Sequence, residues 1–320
     1  MVPGALAIAA VCAGLMGFAI QRGGTCLVAA VDEVVSKRRA SRLVALVEAS
    51  LLVAAGMVIA RLIGALPMAP HAFALTGWTV LGGMIMGLGA WVAGSCVFGA
   101  IARIGNGELT YLLVPLGFFL GCFAALQLGM TRLPHTVAEH SPVLSQAALF
   151  AIPLLLLAAW RLSRVIGAAR RGEFTEHLWS PHVATGVIGV TFVILLLLVG
   201  AWNYTDYLAD TARHMATRGA DRGLLLLALF GGAILGGWTA GKIKPAQPSL
   251  SAIGRCLAGG FMLGVGGSLV PGANDGLILL GLPLLYPHAW LAFASMLFTI
   301  AAALIVHHHG SAMVRRARLA

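Results

Sequence analysis

The feature that most constrains this chain is a succession of nine apolar stretches, each near the length of a membrane-crossing helix, with basic clusters between several of them. A helix rises 1.5 Å per residue, so a hydrocarbon core of about 30 Å takes about 20 mostly apolar residues to cross. On that scale the sequence predicts spans near 3–21, 43–64, 76–98, 109–129, 146–162, 183–202, 223–241, 255–270 and 286–307. Only 10% of the 320 residues are charged and 59% are hydrophobic, whereas a soluble domain is about 25% charged. A soluble enzyme is excluded on those grounds. Backbone groups in lipid must be satisfied within their own segment, so the expected fold class is all-α, a polytopic helical membrane protein. The 41 glycines suit such a bundle, because small residues let helix backbones approach.

The net charge of +10 does not point to nucleic acid, because the bases form no single face. They fall into clusters: Lys37, Arg38, Arg39 and Arg42; Arg161, Arg164, Arg170 and Arg171; Lys242 and Lys244; Arg315, Arg316 and Arg318. That is the positive-inside pattern of cytoplasmic loops, and it puts the N-terminus outside and the C-terminus in the cytoplasm. The 203–222 segment then reads as an external loop in which Asp206, Asp210 and Asp221 balance Arg213, Arg218 and Arg222. The first apolar run has no basic residue ahead of it, so no cleavable leader is expected. The whole of 1–320 reads as one transmembrane transport unit, with halves at about 1–165 and 180–310 joined by a basic linker.

Two stretches are alike at an offset of 177: Gly82, Gly83, Gly87 and Gly89 match Gly259, Gly260, Gly264 and Gly266. Five crossings separate them, so the match predicts an inverted repeat, an architecture in which broken helices place a substrate site between the halves. A shorter likeness, Gly17 to Ile20 with Gly231 to Ile234, would be parallel and does not fit the same arrangement. Interrupted winding is expected at Gln21 to Cys26 and at Pro271 to Gly276, each followed by a short apolar piece that reads as a half-helix.

Three constellations could carry chemistry. In Arg22-Gly23-Gly24-Thr25-Cys26 the glycines permit a turn, the helix start offers amides to an anion, Arg22 adds charge and Cys26 a weak donor. The competing reading has Arg22 at a membrane edge and Cys26 as a small packed side chain. Gly94-Ser95-Cys96-Val97-Phe98-Gly99, with Arg103 beyond, repeats that chemistry, and Glu108 is placed to neutralise Arg103. In Pro271-Gly272-Ala273-Asn274-Asp275-Gly276 an ionisable residue sits in apolar sequence, which marks a functional site unless Asp275 merely caps the next helix. Cys12, Cys122 and Cys256 read as packing residues, and five cysteines without paired spacing argue against a disulfide framework. His307, His308 and His309 read as a solvated edge, and no metal site, cofactor motif or paired-carboxylate arrangement stands out, so no enzyme activity is expected.

At these motifs the chain resembles the YeeE/YedE family of sulfur-compound transporters, which includes thiosulfate importers of bacterial inner membranes. The likeness rests on Gly17 to Cys26, on Gly82 to Arg103 with its Gly-x-Cys-x-x-Gly core, and on Gly259 to Pro283. It implies an hourglass-like bundle of about nine spans plus short half-helices, with cysteine thiols along a narrow path handing the anion onward. Carried over by motif, Cys26 and Cys96 are the relay positions, Asn274 lines the second-repeat half-site, and Arg22 and Arg103 attract the anion near the two mouths. Relatives have a further cysteine in a Gly-Cys-Asn context where this chain reads Gly272-Ala273-Asn274, which puts a three-thiol relay in doubt. A path of this kind suits a small sulfur anion, since thiols and amides give several shallow sites and conduction needs sites that are weak and multiple. The expected function is import of thiosulfate or a related small sulfur anion across the bacterial inner membrane, with the lipid bilayer as surroundings and a soluble sulfur carrier as a candidate cytoplasmic partner. The alternatives are an ion-coupled carrier of another substrate using Asp275, or a membrane sulfur sensor without flux.

Overall fold

The computed structural model describes residues 3–66, 70–132, 134–137, 141–173, 178–213, 219–244 and 247–319. Among these, nine helical segments are long and apolar enough to cross a membrane: Gly4–Lys37, Ser41–Leu62, Gly77–Gly105, Leu109–Gln127, Ala147–Arg170, Pro181–Val199, Ala220–Thr239, Leu250–Leu269 and Pro287–His309. Each expected span is present, and the chain is an all-α polytopic membrane protein. Strand structure among the described residues is confined to a two-residue antiparallel ladder, β1 (Ala72–Phe73) with β2 (Thr136–Val137).

Two of the nine segments are broken. The first consists of α1 (Pro3–Gly23) and α2 (Leu27–Lys37), and the third of α4 (Gly77–Ala93) and α5 (Val97–Gly105). Gly24 and Gly94 have φ of 55° and 70°, a left-handed conformation that costs a residue without Cβ nothing, and each turn ends in an extended cysteine that starts the next helix. The break after Gly94 falls inside the span expected at 76–98. From residue 181 onward come α9 (Pro181–Val199), α10 (Tyr204–Ala212), α11 (Gly219–Thr239), α12 (Leu250–Leu269), the single turn α13 (Ala273–Gly276) and α14 (Pro287–Leu319). A π-helical turn, Leu277–Gly281, follows α13. The chain before α9 also holds α3 (Ser41–Leu62), α6 (Leu113–Gln127), α7 (Pro142–Ser145) and α8 (Ala147–Arg170).

Two expectations need correction. The 203–222 segment is not a plain loop, because Tyr204–Ala212 forms α10, largely packed inside the protein and pressed against α6. Its polar side chains are satisfied locally: Asn203 accepts from the Asp206 amide at 2.8 Å and donates to the Asp206 carboxylate at 2.7 Å. Asp210 pairs with Arg222 at 3.3 Å, as the charge balance implied, while Arg218 lies outside the described residues. The expected span 146–162 continues to Arg170, so Arg161, Arg164 and Arg170 ride on α8 rather than in a loop. The helix continues past Arg161 because Glu48 meets its buried charge at 2.8 Å. The side chains of Arg315, Arg316 and Arg318 fall outside the described residues.

Glycines set the helix seams. A methyl added to Gly89 would lie 2.7 Å from the Gly259 carbonyl, and one on Gly82 would lie 3.0 Å from that of Gly266, so α4 and α12 cross in backbone contact. A shift of 177 residues exchanges one of these contacts for the other. The Gly17 to Ile20 likeness with 231–234 has another explanation, since α1 and α11 face each other there: a methyl on Gly232 would meet the Gly14 carbonyl at 1.8 Å. Two facing small-residue surfaces look alike because each must admit the other's backbone.

Candidate permeation site

Short polar links tie one end of the bundle together. Ser41 lies 3.3 Å from His182, the Trp179 amide donates to the Arg22 carbonyl, Gln21 donates to Asn106 at 2.8 Å, and the Lys244 amide donates to the Asn106 carbonyl. This is the basic end. At the other end the β ladder, the Phe73 amide on His288 Nδ1 at 3.3 Å and the Ser141 hydroxyl on the Leu284 carbonyl at 2.7 Å hold the loops.

The half-helices meet between these ends. Cys26 and Cys96 are the N-caps of α2 and α5, and both side chains leave the helix amides uncapped. The two turns are tied together at the thiols, because the amide of Leu27, the residue after Cys26, donates to Cys96 Sγ at 3.0 Å. Gly99 makes that approach possible: a methyl there would stand 2.5 Å from Cys26 Sγ. Cys96 is fully buried, whereas Cys26 borders a small cavity with Thr25, Arg42, Leu46 and Thr185.

From the opposite side, α10 and α13 bring their starts to the same region. The Tyr204 hydroxyl, one residue into α10, donates to the Val97 carbonyl at 3.0 Å, next to Cys96. The Thr205 hydroxyl bonds the Asp275 carboxyl, joining α10 to α13. Beyond them lies a cavity of about 470 Å³ toward the opposite end, lined by Asp206, Arg213, Arg222, Gly276, Tyr286 and His288 among others.

The clearest chemical signal is a set of buried polar atoms that meet nothing. Thr25 Oγ1 and Ser95 Oγ, each one residue before a thiol, have no hydrogen-bond partner, nor do Trp202 Nε1, two residues before α10, and both amide atoms of Asn274 in α13. Leaving a buried polar group unsatisfied costs about 1–3 kcal/mol, so such atoms are expected where a transient guest or water supplies the partner. These five atoms, on four residues, lie in or beside the starts of α2, α5, α10 and α13.

The residues singled out from sequence divide accordingly. Cys26 and Cys96 lie at neighbouring helix starts, and Asn274 and Asp275 lie in the turn α13, where Asp275 is held by Thr205 and the Gly276 amide. Arg22 and Arg103 do not serve two mouths, because both sit toward the basic end. Arg22 donates to Thr239 at 2.8 Å and lies over Phe18, and Arg103 pairs with Glu108 at 2.9 Å and lies over Tyr111. The reason is directional: α1 and α5 both finish at that end. The opposite vestibule takes its guanidinium groups from Arg213 and Arg222 instead. Sequence reasoning named Ser95 only as part of the second motif, without a role, and missed Asn203, Tyr204 and Thr205. Asn203 with Asp206 three residues on is a helix-start signal that a polar loop conceals. Cys122 is a packed thiol donating to the Gly264 carbonyl at 3.4 Å, and Cys12 and Cys256 are likewise buried.

One relative, the thiosulfate transporter TsuA of Spirochaeta thermophila, is 25% identical over 309 residues, covering 87% of this chain and 92% of the relative. The thiosulfate transporter TsuA of Escherichia coli is 23% identical over 327 residues, covering 91% of each chain. The profile of the sulphur transport family matches residues 22–302, a range that takes in both cysteine turns and the Asn274 turn. With nine apolar segments and that match over most of its length, the chain belongs to the sulphur transport family.

Proposed function

We propose that the protein imports thiosulfate, or a small anion with the same soft terminal sulfur, across the bacterial inner membrane. The observation that carries this reading is the meeting of two cysteine turns, joined by the Leu27 amide on Cys96 Sγ, with unpartnered buried polar atoms where half-helices begin. An anion entering the 470 Å³ vestibule meets Arg213 and Arg222 first. Further in, Asn274, Ser95 and Thr25 offer neutral hydrogen-bonding groups, and Cys96 then Cys26 offer sulfur contacts on the way to the basic end. Helix-start amides of α2 and α5 favour negative charge at the same point. None of these sites is a lone, strongly attractive cation. A unit pair at 4 Å is worth about 4 kcal/mol in an intermediate dielectric, and a divalent ion held that way leaves slowly.

The 177-residue relation supports an inverted repeat in which Cys26 corresponds to Asn203 and Cys96 to Ala273. The thiols then occupy only the inner half of a pseudo-symmetric constriction, and Asn203 and Asn274 serve the outer half. The basic clusters favour an external N-terminus and a cytoplasmic C-terminus, with the thiol side facing inward.

The test is uptake of radiolabelled thiosulfate by the purified protein in vesicles, with unlabelled sulfite, sulfate, selenate and thiosulfate as competitors. Competition by thiosulfate well beyond sulfate supports the reading. Equal competition by all four anions, or binding without accumulation inside, refutes it.

A further inference from the structure

At the basic end, α3, α8 and α9 enclose a second cavity of about 370 Å³. Its lining includes Glu48, Trp160, Arg161, Arg164, Arg171 and His182. Three guanidinium groups face two carboxylates there. Glu48 is shared by Arg161 at 2.8 Å and His182 at 2.7 Å, and Glu173 is taken by Arg171 at 2.7 Å. Arg164 forms no ion pair among the described residues and lies over the Trp160 ring at 5.8 Å. Arg161 is buried, bonded through Nη2 to Glu48 and the His182 carbonyl, yet its Nε has no partner. A cavity with surplus guanidinium donors in fork geometry matches a phosphate group.

The surface of α8 indicates where that phosphate is attached. Leu149, Ile152 and Leu156 are 70%, 69% and 67% exposed, and Trp160 follows on the same face. Their spacing of three, four and four residues draws one apolar stripe along the helix that ends at the cavity's own tryptophan. A soluble anion has no use for such a stripe, whereas an acyl chain lies along it while its head group reaches the arginines. Basic pockets between membrane helices at an interface bind lipid head groups in this way, and tryptophan favours the same level.

We propose that this cavity binds the phosphate of an anionic phospholipid through Arg161, Arg164 and Arg171, with an acyl chain along Leu149, Ile152 and Leu156. The lipid braces α8 against α9. It does so beside the inner thiol cavity, because Pro181 and Thr185 line that one while Ser180, His182 and Val183 line this one. The site does not depend on which anion the protein carries.

The experiment is thermal unfolding of the full chain in a neutral detergent with added phosphatidylglycerol, phosphatidylcholine or free glycerol phosphate, together with native mass spectrometry to count bound lipid. At a hundredfold excess over Kd, phosphatidylglycerol should raise Tm by about 5 °C or more. Phosphatidylcholine and glycerol phosphate should give less than about a third of that shift. Arg164→Gln with Arg171→Gln should remove the shift and one bound phosphatidylglycerol, and Arg164→Gln alone decides the matter if the double variant does not purify. Equal shifts from phosphatidylcholine, equal shifts from glycerol phosphate, or an undiminished shift and lipid count in the variants each overturn the site.

Discussion

Gly99→Ala separates folding from transport. The added methyl would lie 2.5 Å from Cys26 Sγ, 3.0 Å from Cys26 Cβ and 3.1 Å from Ser95 Cβ. Comfortable contacts begin at about 3.5 Å, so about 1 Å has to be recovered. Either Cys26 leaves its rotamer, at about 0.5–1.5 kcal/mol, or α2 and α5 move apart, at about 1–3 kcal/mol for a tight site. Alanine returns up to about 1 kcal/mol of helix propensity over glycine, so net stability should change by no more than about 2 kcal/mol. The thiol pair, by contrast, is displaced by a large fraction of a contact distance. Losing sulfur contacts worth about 1.5 kcal/mol in total slows passage about tenfold. The assay is the initial rate of labelled thiosulfate uptake at equal reconstitution, with Tm measured alongside. Gly254→Ala is the control, because nothing stands within 4 Å of its new methyl. A Gly99→Ala protein that folds normally and transports at the parent rate refutes the role given to the thiol pair.

Further outcomes follow from the same contacts. Burial, with Asp210 nearby, raises the Asp206 carboxyl to about 6, so this vestibule group is neutral below that pH and repels an anion above it. Uptake should therefore rise as external pH falls from about 7.5 to about 5.5, and Asp206→Asn should flatten the profile. Tyr204→Phe removes the hydroxyl's bond to the Val97 carbonyl and should cost about 1 kcal/mol in Tm-derived stability while lowering uptake. Glu48→Gln leaves Arg161 buried without its carboxylate, and thermal unfolding should register a loss of about 3–5 kcal/mol.

The architecture was legible wherever hydropathy alone decides. All nine spans follow from length and apolarity, because lipid admits no other solution for a backbone. The first thiol turn was legible through Gly23 and Gly24, whereas the break at Gly94 fell inside a stretch that apolarity alone reads as one span. What stayed hidden was α10. Asn203, Thr205, Asp206 and Asp210 read as solvated loop, yet they bond to one another, to Asp275 and to Arg222 and so can be held inside the protein. Hydropathy scores a residue by its affinity for water and is blind to a partner supplied by the fold. The placement of Arg22 and Arg103 failed for a different reason, since one-dimensional spacing from a cysteine says nothing of which way its half-helix points.

The most direct measurement is radiolabelled thiosulfate uptake by Cys26→Ala and Cys96→Ala proteins, singly and together, in vesicles of matched protein content. Each single variant is expected to fall at least about fivefold below the parent, and the double variant no more than slightly further, as for two groups acting on one passing ion. Parent-like rates in both single variants would contradict a passage through the thiols.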